Sequence, residues 1–440
     1  MSTSQPTGPA GVEPVDTSAL WRLGAFAAVV VVLAAVLHGL DVLIVVAALV
    51  LMVMLHEFGH FVAAKLSGMK VTEYFFGFGP RLWSIRRGET EYGVKAIPAG
   101  GYVKVVGMTM LEEVDPADEA RSYRQATFPR RLAVAVAGST MHFVIAFGLL
   151  WGMVAFTGLP VAVPNEVIAV TTFVNRTNPA RAAGMKVGDV LVAVNGHHYR
   201  SLAKFITFIQ HHAGDELSLV VRRDGRLVVL GVRPIDGRHA DIKLTSGKVV
   251  PEKTGKHPVG VIGVGLGGRK LVTTNPLDAL GRAGTVLGRE FAWTGEGIGQ
   301  VFSFHGLRAF AHDVATANNH TPSGGKGASG SSGSGEILSL PGAVEIAVQA
   351  LQVNVSDLLY ILVAINVFVG IINLFPMLPL DGGHVVIAVY ERIRSRRGRP
   401  YHVDVNKLMP LAYALLAFIV LIGLGALYVN ILHPPHLPGG

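Results

Sequence analysis

The sequence contains no cysteine in 440 residues. This absence excludes disulfide bonds, thiolate metal sites and cysteine nucleophiles, so histidine and carboxylate side chains remain as the candidate metal ligands. Charged residues are scarce as well, at 15% of the chain, whereas 50% of the residues are hydrophobic. A chain of this length with so little charge is too apolar for an ordinary soluble protein, and we predict a membrane protein with several spans.

Lys and Arg are also missing from residues 1–20, which are rich in Pro, Gly, Ser and Thr. This composition predicts a disordered N-terminal tail and does not suit the basic start of a signal peptide. The net charge of +8 could suggest a nucleic-acid partner. However, the basic residues cluster beside apolar segments, as membrane topology requires, so we expect a lipid bilayer and no nucleic acid as partner.

Two apolar runs, 21–37 and 42–66, are separated by a short break at 38–41. The first run is only marginally long enough to cross a bilayer, whereas the second is long enough by itself. We interpret residues 21–66 as a transmembrane helical hairpin, and one long tilted helix kinked at Gly39 is the alternative.

The second apolar run contains the pattern His-Glu-x-x-His, formed by His56, Glu57 and His60. Positions four apart lie on one face of a helix, so both imidazoles point the same way and can hold one zinc ion. Glu57 beside them can act as general base on a metal-bound water. The five-residue pattern alone arises by chance, but an ionisable triad inside a span is energetically expensive and indicates a functional site.

Apolar runs, turn residues and composition define the remaining segments. In chain order they are a cytosolic loop with a β-hairpin (67–131), a transmembrane helix (132–157), a β-rich α+β domain (160–240), extracytoplasmic amphipathic segments with a Gly/Ser-rich linker (241–355), a transmembrane helix carrying a Leu-Asp-Gly motif (356–384), a basic cytosolic loop (385–407) and a last transmembrane helix (408–432). The predicted fold class is a polytopic α-helical membrane protein with an inserted β-rich domain and a membrane-associated β-hairpin on the cytosolic side.

Local patterns give more detail in two of these segments. Residues 89–106 carry β-type residues on both sides of a Gly pair, which predicts a hairpin that turns at 99–101. The β-rich domain contains a predicted strand, a helix and two further strands, at 190–194, 202–211, 217–222 and 227–232.

The basic loops set the predicted orientation. Residues 65–131 and 391–407 are rich in Lys and Arg, whereas the 38–41 break and the C-terminal tail have none. The positive-inside rule therefore places both basic loops in the cytosol and the long excursion at 158–355 outside it. In a multi-pass protein of the cell membrane with this topology, the His-Glu-x-x-His motif lies near the cytosolic side.

The sequence resembles the site-2 proteases, a family of zinc intramembrane metalloproteases, and most of all the actinobacterial type with one PDZ domain. Three motifs carry the resemblance in the family order: residues 56–60 (HEFGH), 100–104 (GGYVK) and 373–382 (NLFPMLPLDG). Residues 179–196 also resemble part of a PDZ domain, which such proteases carry outside the cytosol. The resemblance covers roughly residues 41–425, except for the 240–340 region.

The resemblance implies roles for further residues. Asp381 would be the third zinc ligand, which leaves a fourth position open as a catalytic zinc requires. Asn373 would hold substrate or position Asp381. The segment Gly100, Gly101 and Tyr102 would lie against the substrate strand.

One position departs from the family pattern. The family usually has Gly-Pro-x-x-Asn in its second conserved span, and this chain has Gly138-Ser139-Thr140-Met141-His142. His142 therefore replaces an Asn that contacts substrate or site, and we expect a hydrogen-bonding or packing histidine there more than a metal ligand.

The expected function is that of a zinc-dependent intramembrane endopeptidase in regulated intramembrane proteolysis. The resemblance implies single-span membrane substrates such as anti-sigma factors, filtered by the PDZ domain. Two alternatives remain open at this point. A catalytically inactive scaffold could use the PDZ domain alone, and a transporter could use the Pro-broken helix near Pro376, although that would require an inverted repeat that the sequence lacks.

Overall fold

The computed structural model describes residues 21, 39–108, 114–199, 201–243, 249–251, 258–317, 338–395, 401 and 403–435. The predicted tail, nearly all of the first apolar run and the Gly/Ser-rich linker therefore lie outside the described residues. The chain divides into two units, of which one comprises Met1–Thr157 with Thr273–Gly440 and the other Gly158–Val272.

The structure contains ten helices in its described part. They are α1 (Leu40–Leu66), α2 (Phe128–Gly152), α3 (Pro179–Ala182), α4 (Leu202–His211), α5 (Pro276–Val301), α6 (Phe304–Thr316), α7 (Leu340–Val353), α8 (Val355–Asn373), α9 (Asp381–Arg394) and α10 (Met409–Leu432). The strands are β1 (Val71–Arg87), β2 (Thr90–Val105), β3 (Leu159–Val170), β4 (Val190–Val194), β5 (Leu217–Arg223), β6 (Arg226–Val232), β7 (Ile235–Asp236), β8 (Asp241–Lys243), β9 (Val249–Pro251), β10 (Gly260–Val261) and β11 (Val264–Val272).

Four of the described helices are long and apolar enough to cross a membrane: α1, α2 with its extension to Thr157, α8 and α10. The helix α2 packs on both α1 and α8, so these three form the centre of the unit. The predicted span over 356–384 is interrupted, because α8 ends at Asn373 and α9 begins at Asp381. Pro376 and Pro379 lie between them, and proline cannot continue a helix because it lacks the N–H and clashes with the preceding turn.

The strands β1 and β2 form an antiparallel hairpin, but its turn is not at the predicted 99–101. The turn follows β1 at Gly88, whose φ of +63° suits glycine, and β2 then runs without interruption to Val105. Phe75 aligns with both Gly93 and Tyr102, so both strands fold back on themselves. The chain does reverse direction at the Gly pair, where Gly100 has a φ of +143°, but the predicted pairing was wrong, because the two arms of β2 flank residues 71–78 and do not pair with each other.

This folding places residues 71–78 between two stretches of β2 and leaves residues 101–105 on the outside of the small sheet. Among the described residues, these outer residues pair with another strand on one side only. We call residues 101–105 the edge segment. An edge strand has backbone groups that can pair with an added strand.

Charged hydrogen bonds hold the hairpin turn beside the end of α1. Arg121 donates two hydrogen bonds to the carboxylate of Glu89, at 2.7 and 2.9 Å, and Lys65 donates one at 2.6 Å. These hydrogen bonds, first from Arg121 and then from Lys65, lower the pKa of Glu89 to about 2. The turn is thereby held beside the last residues of the helix that carries His56 and His60.

The second unit is β-rich, as predicted for the inserted domain. Its main sheet has the strand order β11-β3-β4-β5-β6, and its core contains residues of the strands and of α4, such as Phe205, Ile209, Leu219 and Val221. The unit extends beyond the predicted limits of 160–240, because β11 pairs with β3 along almost its whole length. The 264–272 stretch is too rich in glycine for its strand to be evident from the sequence.

After this unit, α5 packs against α2 and α8 of the first unit. Phe291 contacts Phe143 with ring centroids 4.8 Å apart, and the buried carboxylate of Glu290 accepts a 2.5 Å hydrogen bond from the Tyr360 hydroxyl. The amphipathic segments predicted within 241–355 thus include the helices α5 and α6, and α5 packs against two of the spans.

A buried ion pair attaches α9 to the start of α2. Arg131 and Glu391 lie 2.6 Å apart with side chains 9% and 3% exposed, and the guanidinium also lies over the Tyr123 ring. The Glu391 carboxylate accepts a further hydrogen bond from the Val403 N–H. This pair fixes the helix that begins with Asp381.

We expect Glu391→Gln to lower the free energy of unfolding by about 3–5 kcal/mol, because removal of one partner leaves a buried charge without its counterion. The double variant Arg131→Met with Glu391→Leu should recover most of that loss. Denaturant unfolding of detergent-purified protein measures both, with the exposed Glu345→Gln as control. Equal effects of Glu391→Gln and Glu345→Gln would contradict this role.

Candidate metal centre

The helix α1 presents His56 and His60 on one face, as their spacing predicts. Both side chains are buried, at 9% and 4% exposure, within a span whose other residues are almost all apolar. Their ring centroids lie 4.9 Å apart with the rings nearly perpendicular. Two imidazoles in this arrangement can direct nitrogen atoms at one ion.

Asp381 comes to these histidines from the start of α9. Its Oδ1 lies 3.3 Å from His60 Nε2, and its Oδ2 lies 3.7 Å from His56 Nε2. Two ligands of a tetrahedral zinc ion, each roughly 2.1 Å from it, lie about 3.4 Å apart, so these separations match a shared ion. Within the described part of the chain, these three residues are the one group of His, Cys, Asp and Glu side chains with such spacing.

Contacts from α2 orient His60 and Asp381. His60 Nδ1 lies 2.8 Å from the carbonyl oxygen of Val134, which can only accept, so Nδ1 carries the proton and Nε2 keeps its lone pair for a metal. The Ser139 hydroxyl donates a 3.4 Å hydrogen bond to Asp381 Oδ2. Neither contact follows from sequence spacing, because both depend on how α2 packs against α1 and α9.

Gly138 leaves the space that a metal ion needs. A Cβ atom at this position would lie 2.3 Å from His60 Nε2 and 2.4 Å from His56 Cε1, which is far inside any allowed contact. The two histidines therefore face a cradle in which only a glycine fits. The donor set and this cradle together fit a zinc ion held by His56, His60 and Asp381.

Glu57 lies beside the ligands and outside their group. Its Oε1 is 4.0 Å from His56 Nε2, and its side chain is only 16% exposed. Because adjacent helix residues are rotated by about 100°, Glu57 faces a different direction from His56 and His60. This position suits a general base next to the metal better than a fourth ligand.

The edge segment of β2 lies alongside Glu57. A Cβ at Gly101 would approach Glu57 Cγ to 3.1 Å and Met54 Sδ to 3.0 Å, so the bare backbone rests on α1 there. The N–H of Val103 lies beside the Glu57 carboxylate. Because strand N–H groups alternate in direction, the N–H of Gly101 points to the same side.

Tyr102 points away from the metal. Its ring stacks between Phe75 and Phe78, and its hydroxyl donates to Glu73 and accepts from Lys95. Burial, followed by the hydrogen bond to Glu73, raises the pKa of Tyr102 well above its usual range. Tyr102 therefore stabilises the bend of β2, and Gly100 next to it provides the bend.

The remaining two predicted site residues, Asn373 and His142, differ in their burial and in their hydrogen bonds. Asn373 is the half-buried last residue of α8, and its side chain makes no hydrogen bond to the described residues. His142 is 1% exposed, and its ring centroid lies 4.8 Å from that of His56. Its Nδ1 is 2.9 Å from Asn366 Oδ1. The sequence could have indicated Asn366, because a polar residue within an apolar span is a signal of function.

The chain is similar to known zinc metalloproteases. The sequence model of peptidase family M50 matches residues 44–422. The zinc metalloprotease Rip1 of Mycobacterium tuberculosis is 33% identical over 399 residues, which cover 85% of this chain and 92% of that protein. Rip1 of Mycolicibacterium smegmatis is 31% identical over 411 residues, with 87% and 95% covered. The matched region includes all three residues of the metal group and Glu57.

Proposed function

Because the chain belongs to peptidase family M50, the site-2 proteases, and is a zinc metalloprotease, we propose that it hydrolyses peptide bonds inside the transmembrane segments of single-span proteins. The observation that carries this proposal is the placement of His56, Glu57 and His60 inside an apolar helix of membrane length. An extramembrane substrate would not require a catalytic group there. In line with the sequence resemblance, we propose anti-sigma factors and similar regulatory proteins as the substrate class.

The residues divide the chemistry between them. His56, His60 and Asp381 would hold the zinc ion, which when bound polarises the scissile carbonyl and lowers the pKa of its water. Glu57 takes the proton from the attacking water and delivers it to the leaving amine. The low exposure of the site keeps bulk water away from both proton transfers.

The substrate helix must unwind before it can react, because its carbonyls are held in backbone hydrogen bonds. The edge segment offers a backbone partner for the unwound chain beside Glu57, in the manner of β-strand addition. The N–H of Gly101 on this side would pair with a substrate carbonyl. This pairing would offset part of the cost of opening the helix within the membrane.

The β-rich unit is proposed to be a PDZ-like domain outside the cytosol that restricts which substrates enter. Its strand at 190–194 and its helix α4 occur in the order that the resemblance implies. The three metal-binding side chains all lie in the other unit, so the β-rich unit would control access without taking part in hydrolysis.

Single-cysteine cross-linking tests the strand-addition model. The native chain has no cysteine, so each introduced thiol is unique. In a Glu57→Gln background, single cysteines at positions 100–104 should form disulfides with single cysteines in the substrate. Moving the enzyme cysteine by one residue should move the preferred substrate position by one residue as well. Ser84→Cys, on the opposite outer strand of the same sheet, is the matched control and should give none.

Disulfides that form equally from position 84 and from the edge segment would contradict strand addition. Uncleaved substrate that never cross-links to any of these positions, while wild type still cleaves it, would place the substrate elsewhere.

The proposed orientation has the basic loops in the cytosol and the β-rich unit outside it. A reporter enzyme that is active only outside the cytosol should work when fused at residue 325 and fail when fused at residue 397. The reason is the excess of Lys and Arg in residues 65–131 and 391–407. The reverse pattern of reporter activity would overturn the orientation.

A further inference from the structure

His142 and Asn366 form a buried polar pair between two spans. His142 lies on α2 and Asn366 on α8, and each is 1% exposed. Both residues are buried in helices that are apolar enough to cross a membrane, where an unpaired polar group is costly. The pair therefore has a fixed arrangement of donors and acceptors, which can be read from its partners.

The carbonyl oxygen of Leu362 determines that arrangement. It accepts a 2.7 Å hydrogen bond from the Asn366 amide nitrogen, because a carbonyl oxygen can only accept. The other atom of the amide, Oδ1, is then the one that faces His142 Nδ1 at 2.9 Å. Since Oδ1 can only accept, His142 carries its proton on Nδ1, and in the neutral ring Nε2 has a free lone pair.

This lone pair belongs to a ring beside the metal centre. His142 is four residues after Gly138, so both lie on the face of α2 that forms the metal cradle. Its ring contacts His56, but its nitrogens are not part of the group formed by His56, His60 and Asp381. His142 thus offers a hydrogen-bond acceptor next to the ligands without being one of them.

An unwound substrate needs such an acceptor. In an extended chain, the backbone groups point alternately to opposite sides, so the edge segment can satisfy only those on one side. The N–H groups on the other side have lost their helical partners and lie in an apolar environment. The edge segment contacts Glu57, whereas His142 contacts His56, which is rotated by about 100° around α1.

We propose that His142 Nε2 accepts a hydrogen bond from a backbone N–H of the bound substrate, and that Asn366 is a positioning residue that accepts from Nδ1–H and so fixes the ring orientation and tautomer in which Nε2 is the acceptor. This inference rests on the proposed function, because it requires an unwound substrate at the site. The proposal also explains why histidine can replace the family's asparagine at this position. Both side chains supply a hydrogen-bond acceptor, although this histidine has no further donor to offer.

The test combines variants of the enzyme with ester substitution in the substrate. A synthetic single-span peptide is made with one backbone amide at a time replaced by an ester, which removes one N–H. Wild type should show a KM that rises about tenfold for the ester at one position near the cut, with kcat little changed; this is the loss of one hydrogen bond of roughly 1.4 kcal/mol.

His142→Leu should raise the KM of the all-amide peptide by a similar factor and show no further rise with that ester. His142→Asn should retain both the low KM and the sensitivity to the ester. Zinc affinity, measured by competition with a chelator, should stay within about twofold of wild type in both variants. Asn366→Leu should behave as His142→Leu; if it does not fold, the two His142 variants decide the question.

Two results would overturn the proposal. Loss of zinc affinity in His142→Leu would make His142 a metal ligand, and an ester effect of equal size in wild type and His142→Leu at every position would mean that His142 accepts no substrate N–H. Failure of wild type to cut the all-amide peptide inside its span would instead refute the proposed function itself, so the two failures are distinguishable.

Discussion

Glu57→Gln should abolish detectable proteolysis and leave zinc bound at close to one ion per chain. The glutamine keeps the size of the side chain but cannot take a proton, so we expect cleavage to fall by about 100- to 10,000-fold. Zinc should remain because Glu57 lies outside the group of His56, His60 and Asp381.

Asp381→Ala should abolish proteolysis and also weaken zinc binding by at least about 100-fold, because a group within 3.3 Å of His60 Nε2 is lost. Metal analysis of the detergent-purified variants separates the two roles, with cleavage of a single-span substrate measured in parallel. Asp41→Ala is the matched control, since Asp41 is a carboxylate in the first turn of α1, far from the motif. Retention of zinc in Asp381→Ala together with its loss in Glu57→Gln would reverse the assignment.

Gly138→Ala should remove zinc binding as effectively as loss of a ligand. The added methyl group would lie 2.3 Å from His60 Nε2 and would occupy the cradle that the ion needs. We expect zinc affinity to fall by at least about 100-fold and cleavage to become undetectable. Isothermal titration or chelator competition measures the first effect, and substrate cleavage measures the second.

The same helix provides the control for this substitution. A Cβ at Gly148 would meet no atom within 4 Å, so Gly148→Ala should leave zinc binding and cleavage unchanged. Alanine is a better helix former than glycine, which should make this control slightly more stable. If Gly138→Ala retained wild-type zinc affinity, the close approach of α2 to the two histidines would be wrong.

The chemistry of the site was predictable because it depends on short spacings. The four-residue separation of His56 and His60 on a helix already places two imidazoles on one face, and the spans and the metalloprotease activity are consistent with this pattern. The prediction of a zinc metalloprotease is confirmed by membership of family M50. Asp381 was predicted as the third ligand only through the family resemblance, because it lies more than 300 residues away in sequence from His60.

Local elements of the β-rich unit were also predictable. The strand at 190–194 and the helix at 202–211 occur where apolar periodicity places them. The strand β11 was missed for two reasons. It joins the sheet by pairing with β3, which is distant in sequence, and its glycines give no local signal of a strand. The hairpin turn was misplaced for a related reason. A Gly pair can mark either the turn of a hairpin or a change of direction within one strand, and only the pairing of Phe75 with two parts of β2 distinguishes these two cases.

The residues around the ligands could not be predicted, because they act through packing between helices. Gly138 was visible in the sequence only as part of a divergent motif, and its importance comes from two histidines on another helix. Asn366 carries no motif at all, and its partner His142 lies 224 residues away. Sequence spacing describes one helix at a time, whereas these contacts join α1, α2 and α8.

The most direct test of the account is the position of the cut. Purified protein and a single-span substrate are reconstituted together in liposomes, and the fragments are identified by mass spectrometry with and without a zinc chelator. The account predicts one or a few cuts within the apolar segment of the substrate, which disappear with the chelator and with Glu57→Gln. Cuts confined to the substrate's extramembrane parts, or cuts within the span that persist in Glu57→Gln, would contradict it.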